Sequence, residues 1–149
     1  IDLNVKALTA LMRLVLPAMV ERGAGRVMNV ASTAGFVPGP LQAVYFATKA
    51  YVISYSRSLA TELKGRGVTV TALCPGATRT EFISTAGLEG TMLERMAAPV
   101  ERVARFGYRA MLRGRPVAVE GLLNKMLVAS GRVMPAGLVA AVSRMLQEK

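Results

Sequence analysis

Tyr45 and Lys49 stand four residues apart in Tyr45-Phe46-Ala47-Thr48-Lys49. On a helix that spacing puts the phenol and the ammonium on one face, within reach of each other. A free phenol titrates near ~10, and an adjacent ammonium favours the phenolate, so Tyr45 becomes a candidate acid or base near neutral pH. Tyr-x-x-x-Lys alone is common on structural helices, and the surroundings must decide. Ser32 lies upstream at the end of a β-prone run, and Cys74-Pro75-Gly76 ends another, with Thr78 and Thr80 following. If both runs are parallel strands, their carboxyl ends form the crevice where open α/β sheets gather ligands. A hydroxyl, a phenol, an ammonium and a glycine turn would then face one space.

The elements that must position these groups are legible in the periodicity. Asp2 to Arg22 carries Leu3, Ala7, Leu11, Leu14, Val15 and Met19 close to a 3.6-residue period, which predicts a long helix with Pro17 bending its last turn. Arg26 to Ser32 reads as a buried strand and Thr33 to Gln42 as a loop. A second long helix is expected from Ala43 to Lys64, stopped by Gly65-Arg66-Gly67. Val68 to Leu73 is a further strand, and helix, strand, helix, strand is the rhythm of a parallel α/β sheet. Thr78 to Pro99 reads as a flap with one short helix. An arginine-striped helix follows, then a short strand from Pro116 to Val119, then a tail of two amphipathic helices around Pro135.

Taken together, Leu3-Asn4-Val5, Asn29-Val30-Ala31-Ser32-Thr33-Ala34-Gly35, Tyr45 with Lys49, and Pro75-Gly76-x-x-x-Thr80 resemble the signature of the short-chain dehydrogenase/reductase family. The resemblance covers Ile1 to about Gly121. It implies a Rossmann-type doubly wound parallel sheet, here as its second, catalytic half, with 122–149 as a helical extension. It also implies roles for individual residues. Tyr45 would give the proton during carbonyl reduction and take it during alcohol oxidation. Lys49 would lower the Tyr45 pKa and bind the nicotinamide ribose, Ser32 would polarise the substrate oxygen, and Asn4 would fix a water that relays protons to Lys49. Pro75, Gly76, Thr78 and Thr80 would lie along the cofactor. NADP, or else NAD, is the implied cofactor, and hydride from it leaves the protein only to orient, polarise and protonate. The Gly-rich phosphate-binding turn of such a sheet has no counterpart here and is expected before Ile1, because Ile1-Asp2 is no translational start. Without it this chain should bind cofactor poorly.

Composition narrows the alternatives. Cys74 is the only cysteine and histidine is missing, which excludes an internal disulfide, a Cys/His zinc site and a His-based triad; no metal site is expected. The apolar stretch Ala7 to Val20 is broken by Arg13 and Pro17 and falls short of the roughly 20 residues that cross a bilayer. The net charge of +10 admits an anionic partner. However, Arg102, Arg105, Arg109 and Arg113 recur at helical spacing opposite Val100, Val103, Ala104, Tyr108, Met111 and Leu112, as on a solvated helix face. Aromatics at 5% and the lack of a matching motif speak against nucleic acid. The expected substrate is a small apolar ketone, aldehyde or alcohol, from Phe82, Ile83, Leu88, Met92, Leu93 and Met96 in the flap. Homo-oligomerisation and a cytoplasmic location are expected, the former implied by the resemblance. The tail is expected to pack over the substrate cleft or across a dimer; peripheral membrane contact is the second reading, from Lys125, Arg132 and Arg144 beside its apolar residues. The rival readings are a non-catalytic remnant of the same fold and a basic binder of membrane or nucleic acid.

Overall fold

A computed structural model describes residues 1–131 and 133–148. The first long helix is wound in two ways, as a π-helix over Asp2–Ala7 and as α1 over Leu8–Glu21. It leads into β1 (Gly25–Val30), α2 (Ala43–Glu62) and β2 (Val68–Cys74). The flap holds two short helices rather than one, α3 (Phe82–Thr85) and α4 (Met92–Arg95). It is followed by α5 (Val100–Leu112), β3 (Val117–Val119), α6 (Leu122–Ser130) and α7 (Ala136–Gln147). The strands form one parallel sheet in the order β1-β2-β3, with Val27 opposite Val70 and Cys74 opposite Val119.

The pleat sends alternate side chains to opposite faces, and both faces are covered. On one, Val27, Val68 and Val70 meet Met12 and Leu16 of α1, while Ala31, Ala72 and Cys74 meet Val52 and Ile53 of α2. On the other, Leu73 and Ala118, with Met28 beside them, pack against Ala110 and Phe106 of α5. The doubly wound parallel architecture read from the sequence is therefore present, in three strands. Strand β2 lies between the other two and all but one of its residues are buried, as a central parallel strand requires.

Two expectations need correction. The helical run from Asp2 to Glu21 is 20 residues long with mean hydropathy 1.5. By length and composition it could cross a membrane, although its buried residues, Met12 and Leu16, face the sheet. In α5 the buried residues are Val103, Gly107 and Ala110, whereas Val100, Tyr108 and Leu112 are exposed. Packing selects the small Gly107 because the helix crosses so close to β2 that a methyl there would meet the Leu73 side chain. Arg132 lies outside the described residues, and the charge pattern expected for the tail is seen only at Lys125 and Arg144.

A buried polar pair ties β1 to α2: Asn29 Nδ2 donates to Ser56 Oγ at 2.9 Å, with both residues buried. Asn29→Ala is expected to lower stability by about 1–3 kcal/mol, because it strands a buried hydroxyl. Adding Ser56→Ala should recover part of the loss. Thermal unfolding of the two variants checks this, and equal melting temperatures for the single and double variants would argue against the pairing.

Candidate active site

The first turns of α2 carry Tyr45 and Lys49 on one face, as their spacing predicts. The Lys49 ammonium lies 5.6 Å from the centroid of the Tyr45 ring and donates to the Val30 carbonyl oxygen at 2.9 Å. Ser32 leaves β1 with an extended backbone and caps the following 3-10 turn, Thr33–Phe36, accepting from Ala34 N at 3.1 Å. Its hydroxyl also faces Pro75 O at 3.5 Å, at the outer limit of a hydrogen bond. The backbone closes the gap more firmly, since Thr33 N donates to Pro75 O at 2.8 Å. The two strand ends thus converge, and Ser32, Tyr45, Lys49 and Pro75 are brought together.

Asn4 joins this group indirectly. Its Nδ2 donates to Thr48 Oγ1 at 3.1 Å, and Thr48 Oγ1 donates to Tyr45 O at 2.8 Å. The π-helical winding at Asp2–Ala7 includes Asn4, and such widened turns often accompany functional sites. Thr48 is buried and had no reading of its own beyond being a spacer inside Tyr-x-x-x-Lys. Beyond the turn, Thr78 Oγ1 donates to Gly76 O at 3.1 Å and Thr80 Oγ1 to Thr78 O at 3.4 Å. Thr78 is half-buried and Thr80 exposed. The flap is pinned below them, where Ala98 N donates to Ala77 O at 2.9 Å.

Electrostatics at the pair differ from the expectation. Burial pushes the Tyr45 phenol above its ordinary value, and the polar Ser32 side chain beside it pulls it part of the way back. Lys49 was expected to lower it, but the ammonium sits over the ring and is committed to Val30 O, not to the phenol oxygen. Burial in turn lowers the Lys49 ammonium, while the nearby Cys74 raises it. Cys74 is fully buried, and its thiol is pushed up to about 12 by that burial, in keeping with a packing residue rather than a nucleophile.

Of the apolar flap residues, Phe82 reaches the site, its ring 5.2 Å from that of Tyr45. Ile83 and Leu88 are buried, whereas Met92 and Met96 are exposed. A groove of about 670 Å³ runs between α1 and α2, lined by Met12, Leu16, Tyr55 and Leu59, and includes none of the site residues. Two further residues had no sequence signal. Glu120 ends β3 buried, its carboxylate held by Arg102 at 3.0 Å, so one arginine of the α5 stripe is an ion-pair partner rather than a free solvated charge. Asn124 on α6 donates to Glu120 O at 2.7 Å and abuts Gly76.

The model of the short chain dehydrogenase family matches residues 1–89, which contain Asn4, Ser32, Tyr45, Lys49, Pro75, Gly76, Thr78 and Thr80. The chain belongs to the short-chain dehydrogenase family. Among curated relatives, a ketoacyl reductase, HetN, from a Nostoc species is 30% identical over 91% of this chain and 49% of that protein. An NADP-dependent 3-hydroxy acid dehydrogenase, YdfG, from Salmonella typhi is 48% identical over 56% of this chain and 34% of its own length. Among solved structures, a short-chain dehydrogenase from Sphingobium yanoikuyae in complex with NADPH superposes with a TM-score of 0.76. It is 31% identical, with 89% of this chain and 52% of that one covered. This short-chain dehydrogenase chain therefore spans about half the length of the relatives it matches.

Proposed function

We propose that this chain supplies the catalytic half of an NADP- or NAD-dependent oxidoreductase that interconverts an apolar ketone or aldehyde and its alcohol, with Tyr45 as general acid and base. The observation that carries this reading is the half-buried Tyr45 phenol, beside Ser32 and Lys49, at the converging ends of β1 and β2. The ketoacyl, 3-hydroxy acid and NADPH relationships of the relatives support the same class of chemistry.

The donor set suits a dinucleotide. Lys49 offers an ammonium, Thr78 and Thr80 offer hydroxyls beside the Pro75-Gly76 turn, and no carboxylate is among them, as ribose and phosphate oxygens require. When bound, the nicotinamide supplies or accepts the hydride. Lys49 would hold the ribose, Thr78 and Thr80 would take the diphosphate side, and Ser32 would orient the substrate oxygen toward Tyr45. Tyr45 would then give that oxygen its phenolic proton, and Lys49 would return one. The Phe82 ring would keep water from the phenol, which favours an apolar substrate over a charged one.

The pH dependence tests the assignment. A phenol raised above its ordinary value of 10.0 is protonated at neutral pH and loses its proton only as pH rises through the raised value. Reduction, which needs the protonated form, should hold steady from about pH 7 upward and fall at the alkaline end. Oxidation, which needs the phenolate, should climb over the same range. Steady-state rates in both directions would reveal this, and a reduction rate already lost near pH 7 would contradict a raised Tyr45 phenol.

A further inference from the structure

The structure assigns Asn124 a positioning role: it is the strut that holds the Pro75-Gly76 turn at a fixed distance from Ser32, so that α6 sets the geometry of the cofactor site. The inference rests on the functional reading above and adds a residue that none of the site motifs contains. On one flank the turn is tied to the Ser32 loop, through Thr33 N on Pro75 O at 2.8 Å. On the other flank stands the Asn124 carboxamide. A methyl group at Gly76 would lie 2.5 Å from Asn124 Oδ1 and 2.6 Å from Nδ2, so amide and backbone are already in full contact and neither can advance.

The strut has its own foundation. Asn124 Nδ2 donates to Glu120 O at 2.7 Å. Glu120 is buried and gripped by Arg102, with Nε to Oε1 at 3.0 Å and a second guanidinium nitrogen to Oε2 at 3.4 Å. Just before it, Val119 is in register with Cys74. Position 124 is therefore built from β3, which is itself paired to the strand that delivers Pro75. Elsewhere α6 meets the Thr33–Phe36 turn, while Leu122, Leu123 and Met126 form an outward stripe that is 73%, 49% and 55% exposed. A polar residue on the inward side of a helix whose apolar side faces out reverses the usual pattern, and the hydrogen bond to Glu120 O together with the Gly76 contact accounts for it.

In the full-length protein, Asn124→Ala should weaken NADPH binding about tenfold and raise the KM for the cofactor, because a displaced turn misplaces its ligand. The alkaline pH profile of Tyr45 should not move. Asn124→Asp, which keeps the size but loses the donor, should behave alike and serves if the alanine variant unfolds. Gly76→Ala should abolish NADPH binding through the clash, and Gly76→Ala with Asn124→Gly should restore it to about the level of Asn124→Ala. Wild-type affinity in Asn124→Ala, or no restoration in the double variant, would overturn the role. Amide hydrogen exchange at Thr33 and Ala98, whose N–H groups donate to Pro75 O and Ala77 O, measured without cofactor, separates this from failure of the functional reading. Faster exchange in Asn124→Ala supports the strut even if the wild-type protein does not bind NADPH. Unchanged exchange refutes it in either case.

Discussion

Tyr45→Phe in the full-length protein is expected to lower kcat by roughly 10²–10⁴-fold while leaving NADPH affinity within about twofold. The substitution removes one oxygen and little else. The ring still meets Phe46 and Phe82, at 6.0 and 5.2 Å between centroids, and Thr48 still donates to the backbone oxygen of residue 45. Lys49 stays bonded to Val30 O, so the group proposed to hold the ribose is undisturbed. Only the proton is lost. Single-turnover measurements with NADPH in excess would separate chemistry from binding, and a variant that kept most of its turnover would end the case for Tyr45.

Gly35→Ala should be nearly as damaging without touching any reactive atom. Gly35 sits in the 3-10 turn that Ser32 caps. A methyl there would fall 2.7 Å from the backbone carbon and oxygen of Lys49 and 2.6 Å from Ile53 Cδ1. Backbone atoms cannot swing aside, so the turn must lift off α2. Overpacking of this kind costs about 1–3 kcal/mol, which should appear as a lower melting temperature. The lift also carries Ser32 away from Tyr45, and a displacement near 1 Å can cost roughly 10²-fold in rate. Both losses should occur together; a variant with normal stability and normal kcat would mean that the turn is not braced against α2.

The same two residues show how far the sequence could be read. Tyr45 and Lys49 are four apart on a helix, so their shared face follows from helical geometry alone, and the strand ends near Ser32 and Pro75 follow from β-prone runs closed by turn residues. What could not be read depends on distance through space. The Glu120 carboxylate is 18 residues from Arg102, and nothing in the spacing of charges marks that pair among the other arginines of α5. Asn124 bears on Gly76 across the sheet end, a contact set by where β3 docks. Apolarity does not mark the α5 packing face, because close approach to β2 selects the smallest residue, Gly107. The relation of Lys49 to Tyr45 is only partly legible for a related reason. Periodicity brings the two side chains to one face but leaves open whether the ammonium reaches the phenol oxygen or the ring.

The most direct test of the central claim is isotopic. The full-length protein would be incubated with NADPH deuterated at the transferring carbon and with an apolar ketone, and the product alcohol would be weighed by mass spectrometry. A single deuterium at the carbinol carbon is predicted for the alcohol made by the wild-type chain, and almost no alcohol is expected from Tyr45→Phe. An alcohol formed without deuterium, or equal yields of alcohol from the two proteins, would contradict the claim.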